Sequence, residues 1–323
     1  MNISIFLSTV ELGLIYAVLA LGVFLSFRTL NTPDLTVDGS IVTGAAASAM
    51  ICTLGKSSFM LGIYAGMDPA MAAFVEGIFP VIGLIAGFIG GACAGMITAL
   101  LNTKLKIEPL LAGILVMLGI YSINLRIMGN KANLPLTQNQ TVYKEADKIF
   151  PEKWSALIIG ILILAVAIGA FYFFLQTRKG FALRATGDNE EMVRAAGINS
   201  DNMKILGLAL SNGFVGLAGG MLAQYQGYAD IGMGVGMVVI GLASVIIGEV
   251  IFGKGSLLRR LCAVALGAII YRIVIAIALN LGMPATDLKL VSAVIVTIAL
   301  AIGAFGENFS FFGRKKKEGV RNA

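Results

Sequence analysis

Few residues in this chain are equipped for chemistry, and most of them sit inside or beside long apolar runs. Asp34, Thr36, Asp38 and Ser40 belong to a polar interruption, Asn31-Thr32-Pro33-Asp34-Leu35-Thr36-Val37-Asp38-Gly39-Ser40, between two such runs. Ser211, Asn212, Gln224, Tyr225 and Gln226 run from the middle to the end of another, and Glu249 and Arg272 are charges carried within two more. These groups bind, orient and gate by hydrogen bonding. They are not a set for covalent catalysis: the chain has no histidine, which removes the commonest general base and metal ligand and any serine–histidine triad. No catalytic residue and no metal site are therefore expected.

Each polar group has two readings. A broken helix is tolerated in a membrane only where its backbone faces protein or a cavity, so Asp34 to Ser40 is a candidate gate. Equally, Asp38 or Ser40 caps the helix that follows. Two carboxylates there would repel a substrate carboxylate, so the segment is no amino-acid clamp. Ser211, Asn212, Gln224, Tyr225 and Gln226 either line a translocation path or join helices by hydrogen bonds. Arg272 follows Arg260 by 12 residues, about 18 Å along a helix at ~1.5 Å per residue, and a charge at that depth is usually paired and functional. Glu249 is the acidic candidate for it but lies a turn from its helix end, so a direct pair is not expected. Gly248-Glu-Val-Ile-Phe-Gly253-Lys254 imitates the start of a phosphate loop. Gly255 stands where the magnesium-binding hydroxyl belongs, and an apolar span precedes it instead of a strand.

The elements that position these groups are membrane spans. Of 323 residues 58% are hydrophobic and 13% charged, against about 25% charged in a soluble chain, and the mean hydropathy is +0.89. The apolar runs predict an all-α polytopic membrane protein of about nine transmembrane helices, with broken or partial helices near 29–40 and 224–236. The piece Ile41–Leu54 is short against the roughly 20 residues a crossing needs, leaving a re-entrant segment open. Gly87, Gly91 and Gly95, and Gly216 with Gly220, form small-residue faces that let helices approach closely. Cys52, Cys93 and Cys262 all fall in apolar segments and read as buried, free and structural.

The longest two-signed stretch is Gln176–Lys204. A short helix is written into it. Asp188 as N-cap with Glu191 three residues later has capping-box spacing. Glu190 and Glu191 in the first turn and Arg194 in the last suit the helix dipole, and Gly197 fits the left-handed residue after the end. Two turns are marginal alone, so tethers or a partner must hold them. Lysine and arginine set orientation. With the tail 307–323 in the cytoplasm, 16 of the 24 basic residues fall inside: the tail, Lys254/Arg259/Arg260, the 176–204 stretch, Lys104/Lys106 and Arg28. The 126–154 loop is then extracellular, and so is the N-terminus unless the Ile41 piece is re-entrant and adds no crossing. The excess of basic residues lies in short loops and a tail, which is no nucleic-acid footprint.

TRKGFALRATGDNEEMVRAAGIN followed by GLALSNGFVGLAGGMLAQYQGY resembles the central region of permease subunits of ABC importers of the branched-chain amino acid and ribose type. PDLTVDGSIVTGAAASA is more narrowly similar to the permeases of tryptophan or tyrosine uptake. The resemblance runs from Gly13 to about Phe305. It implies a single transmembrane domain over 1–306 in the plasma membrane, with a cytoplasmic coupling helix that docks on a separate ATPase. Asp188, Glu191, Met192, Arg194, Ala195, Ala196, Gly197 and Ile198 match that coupling segment, and Asn189, Glu190 and Val193 lie within it. It also implies a second permease copy, an extracellular substrate-binding protein, ATP and magnesium on the partner only, and an amino-acid solute, aromatic or branched. The alternative is a secondary transporter that works without an ATPase.

Overall fold

Apolar runs become helices here because a backbone in lipid must satisfy its own hydrogen bonds. The computed structural model describes residues 3–57, 60, 66–253, 255–284, 287, 290–294, 297 and 301. Lys254, Lys289, most of the expected span Leu290–Phe305 and the tail 307–323 lie outside the described residues.

The helices are α1 (Ile3–Val23), continued by a π-helical turn Phe24–Thr29, α2 (Thr36–Leu54), α3 (Pro69–Thr103) and α4 (Pro109–Ile127). Then come α5 (Val142–Asp147), α6 (Glu152–Gln176), α7 (Arg178–Asp188), α8 (Glu190–Ala195), α9 (Ser200–Gln226), α10 (Met237–Phe252) and α11 (Leu257–Asn280). Two short strands, β1 (Asn133–Pro135) and β2 (Tyr228–Asp230), pair antiparallel with Leu134 opposite Ala229. Among the described residues seven helices are long and apolar enough to cross a membrane, and α10 is a shorter apolar one. The all-α polytopic class therefore holds. Both expected helix breaks are present, at 30–35 and at 227–236.

Several expectations are corrected. The piece starting at Ile41 belongs to a 19-residue helix, because its polar first turn, Thr36 to Ser40, is satisfied by neighbouring helices. The 126–154 segment is not plain loop: β1 and α5 fold it against the C-terminal end of α9, where Val142 N–H donates to Gln224 Oε1 at 2.8 Å. Cys52 is buried, but Cys93 and Cys262 are exposed, since each lies on a helix face turned away from the bundle.

At the centre, α1, α2 and α9 are mostly buried, and α3 crosses α2 and α9 closely. Glycine makes that approach possible. A Cβ on Gly44 would fall on the Gly216 carbonyl, one on Gly91 on the Asn212 carbonyl, and one on Gly95 on the Leu208 carbonyl. The two small-residue stripes read from the sequence thus pack on each other within one chain. They are spent inside the subunit and are not free to pack another chain.

Candidate functional site

Three groups of polar side chains occupy the bundle. The first closes the break after α1. Asp34, 1% exposed, accepts from Thr36 N–H at 2.9 Å and from Asn212 Nδ2 at 2.6 Å. Ser40 Oγ donates to Asn212 Oδ1 at 2.7 Å, and Thr36 Oγ1 meets Thr98 Oγ1 at 2.6 Å. Ser211 Oγ donates to Gly22 O at 2.7 Å. Four residues singled out from the sequence, Asp34, Thr36, Ser40 and Asn212, therefore share one buried network with Thr98. It joins α2, α3 and α9, and all five residues are buried.

The second group surrounds Asp38. Its carboxylate accepts from Gly236 N–H at 3.0 Å and Val238 N–H at 2.8 Å. It caps α10, not its own helix, and Ser40 caps neither; that corrects the sequence reading. The N-cap of α2 is Leu35, and Asp34 just before it accepts from the first helical N–H, that of Thr36. Gly236, at φ +88°, turns the chain so that the first N–H groups of α10 face α2. Beside this contact lies a cleft of about 280 Å³ lined by Asp38, Val42, Met117, Tyr121, Asn124 and Val235, among others. Asn124 is 1% exposed, its Nδ2 donates to Gly39 O at 3.4 Å, and its Oδ1 has no partner. The sequence reading passed over Asn124 and Tyr121; an amide three residues before the end of an otherwise apolar span was the signal.

The third group is at the C-terminal end of α9. Gln224 donates to Ser48 Oγ at 2.9 Å and Pro80 O at 2.8 Å. Tyr225 donates to Glu11 Oε2 at 2.8 Å and meets the Tyr143 ring edge-on at 5.4 Å. Gln226 is exposed. Arg272 does not join Glu249: it lies 4.8 Å from the Tyr16 ring centre. Glu249 is held instead by Arg28, at 2.5 Å in an ion pair without hydrogen-bond alignment, and by Arg260 at 3.3 Å. Glu11 was overlooked because it falls between two apolar runs.

On the opposite side from β1 and β2, the 176–204 stretch is more helical than expected. It holds α7 as well as α8, because Thr177 caps Gly180 N–H at 3.2 Å. The N-cap of α8 is Asn189, which accepts from Met192 N–H at 2.9 Å. Asp188 ends α7, so the predicted capping residue is one position off. Gly197 has φ +79°. Val193 is the buried anchor. Glu190 accepts from Arg194 and Lys204 at 2.7 and 2.6 Å, and Arg194 donates to Ser200 Oγ at 2.7 Å and Asp201 at 3.3 Å. Glu191, Met192, Arg194, Ala195 and Ala196 stay exposed. The short helix is thus tied to the start of α9 by a polar knot, and its outer face has no cover.

The Lys204 hydrogen bond, with Arg194 and Ser200, holds the Glu190 carboxyl below its ordinary range. A depressed carboxyl pKa stabilises the fold above the unfolded value, and that contribution disappears as pH falls through the folded one. Wild-type protein in detergent is expected to lose a component of thermal stability on acidification through that window. Glu190→Gln should lack this component; an identical acid profile for both proteins would show that the knot contributes nothing.

The fold and these groups define a multi-pass membrane protein whose polar residues are structural ties and cleft linings, with no catalytic constellation among the described residues. The profile of the family described as "Branched-chain amino acid transport system / permease component" matches residues 5–305, and the chain belongs to that family of ABC-type transport permeases. It is 36% identical over 297 residues to the tyrosine transport system permease protein of Clostridioides difficile (strain R20291), covering 92% of this chain and 90% of the relative. It is 31% identical over 302 residues to an uncharacterized protein of Rickettsia prowazekii (strain Madrid E), covering 92% and 97%. The ribose import permease protein RbsC of Escherichia coli (strain K12) is 24% identical over 284 residues, covering 86% and 87%. No solved structure matches. The family is a transport subunit, not a catalytic enzyme.

Proposed function

We propose that this chain is the membrane-spanning half of an ATP-driven amino-acid importer, with the solute passing the cleft beside Asp38 and Asn124. The observation that carries the reading is the buried, unpartnered Oδ1 of Asn124, a residue that lines that cleft together with the Asp38 carboxylate. A buried acceptor left without a donor is costly, and two neighbouring acceptors suit a solute ammonium group. Met117, Tyr121, Val42 and Val235 give the cleft apolar walls, which suit an aromatic or branched side chain. The tyrosine-transport relative supports the same solute class. Leu118, Tyr121 and Val235 at the cleft mouth are exposed, and a second copy of the chain closes over them to complete the path.

Energy enters at the other end. A cytoplasmic ATP-binding subunit, carrying ATP and magnesium, docks on the exposed face of α8, from Asn189 to Gly197. An extracellular binding protein delivers the solute near β1, β2 and α5. The basic-residue distribution supports this orientation, with the tail 307–323 inside and the N-terminus outside.

Uptake by proteoliposomes containing the chain, its ATP-binding subunit and its binding protein tests the proposal. Uptake of an aromatic or branched amino acid is expected to require ATP. Asn124→Leu should cut it by about tenfold, the loss of one charge-assisted hydrogen bond, while the protein remains monodisperse. Uptake that proceeds without ATP or the ATP-binding subunit would establish the secondary transporter instead.

A further inference from the structure

Transport does not account for the three arginines that converge where α1 and α11 reach their ends. Arg28, Arg184 and Arg260 line a cavity of about 420 Å³ between the π-helical turn of α1, α7 and the start of α11. Arg184 lies 4.4 Å from the Phe181 ring centre and Arg260 5.1 Å from that of Phe24. Stacking of this kind holds a guanidinium plane and leaves its N–H edge free to bind.

The acidic groups that face the cavity do not satisfy these edges. Glu249, from α10, is buried and already shared by Arg28 and Arg260. Asp188, at the exposed end of α7, lines the cavity but forms no ion pair with Arg184. Arg184 Nε and Arg260 Nε are both buried and both lack an acceptor. An arginine N–H can only donate, and orphaned buried donors are rare enough to require an explanation. Both residues line one cavity, and this shortfall of acceptors beside it points to an acceptor that the chain does not supply.

We propose that this cavity binds a phosphate-bearing anion, the headgroup of an anionic phospholipid. A phosphate offers several acceptor oxygens to separate guanidinium forks, which a single carboxylate does not. The cavity lies at the level where two spans end, and Phe24 and Leu257 give it apolar walls beside the arginines. Basic pockets between transmembrane helices are suited to lipid headgroups for this reason. The site also touches the coupling segment: a Cβ on Gly187 would fall on the Thr29 carbonyl, so the end of α7 is seated on the end of α1. A lipid phosphate between Arg28, Arg184 and Arg260 locks that seat.

The test is lipid retention by the purified full-length chain, read by native mass spectrometry after exposure to phosphatidylglycerol, phosphatidylcholine or both. Wild type is expected to retain phosphatidylglycerol in preference to phosphatidylcholine, a comparison that needs no variant. Arg184→Gln should lower the retention about tenfold, as expected for one charge-assisted hydrogen bond. Arg178→Gln, exposed on the same helix, should leave it unchanged. Displacement of the lipid by inorganic phosphate would assign the site to phosphate from either source, and persistence of the lipid would assign it to the headgroup. Equal retention of the two lipids by wild type, or wild-type retention by Arg184→Gln, would overturn the proposal.

Discussion

Gly216→Leu is expected to abolish accumulation of folded protein. In lipid the helices gain nothing from leaving water, so they associate through close packing and hydrogen bonds. Gly216 sits where α2, α3 and α9 come nearest. A Cβ there would fall on the Gly87 carbonyl and reach 3.0 Å from Gly91 Cα. Overpacking a core typically costs about 1–3 kcal/mol when side chains can shift. Here the obstacle is backbone on two helices, which cannot turn aside without pulling α3 away from α9. That separation would also strain the Asp34–Asn212–Ser40 network one turn further along α9. Gly169→Leu is the control, because nothing lies within 4 Å of its Cβ position, and leucine is a better helix former than glycine. Monodisperse yield on size-exclusion chromatography in detergent separates the two. Equal yields would mean that the glycine seam does not hold the bundle together.

The second large effect is functional. Met192→Arg is expected to leave the fold intact and to remove transport and solute-stimulated ATP hydrolysis together. Met192 is 57% exposed, and arginine matches methionine in helix propensity, so α8 has no internal reason to change. The loss would then come from a partner surface that no longer fits. This variant is sharper than Arg194→Glu. Reversing Arg194 costs about 0.3–1 kcal/mol of interaction with the helix dipole. The structure shows that it would also place a third carboxylate beside Glu190 and Asp201 and release Ser200, mixing local unfolding with coupling. Reconstituted uptake, ATP hydrolysis and chromatographic yield are measured side by side. Normal uptake by Met192→Arg would remove α8 from the coupling path.

Much of the fold was legible because lipid allows so few solutions. Apolar length gave the spans, Pro33 and the Gly232–Gly236 cluster marked the breaks, and Gly197 gave the end of α8. The stripe Gly87/Gly91/Gly95 announced close packing, but spacing alone does not say which helix it meets, and its partner proved to be Gly216 of the same chain. Polar ties between residues distant in sequence were the least legible. Asp38 lies two residues after Thr36, where local capping is the natural reading, yet its acceptors serve Gly236 and Val238, some 200 residues away. Arg28, Arg260 and Glu249 form a triad that no local pattern announces. Asp188 and Asn189 illustrate a finer limit: both residue types cap helices, and only the separate start of α7 at Arg178 assigns the cap of α8 to the second.

The docking face proposed for a cytoplasmic ATP-binding subunit is α8. Proximity cross-linking tests it most directly. With Cys52, Cys93 and Cys262 replaced and a single cysteine introduced by Met192→Cys, a short bifunctional maleimide is applied to membranes containing the assembled transporter. The expected result is one cross-linked product joining this chain to its ATP-binding subunit, and no labelling of that cysteine by an impermeant reagent added outside intact cells. Labelling from outside, or the absence of any product with the ATP-binding subunit in an actively transporting preparation, would contradict it.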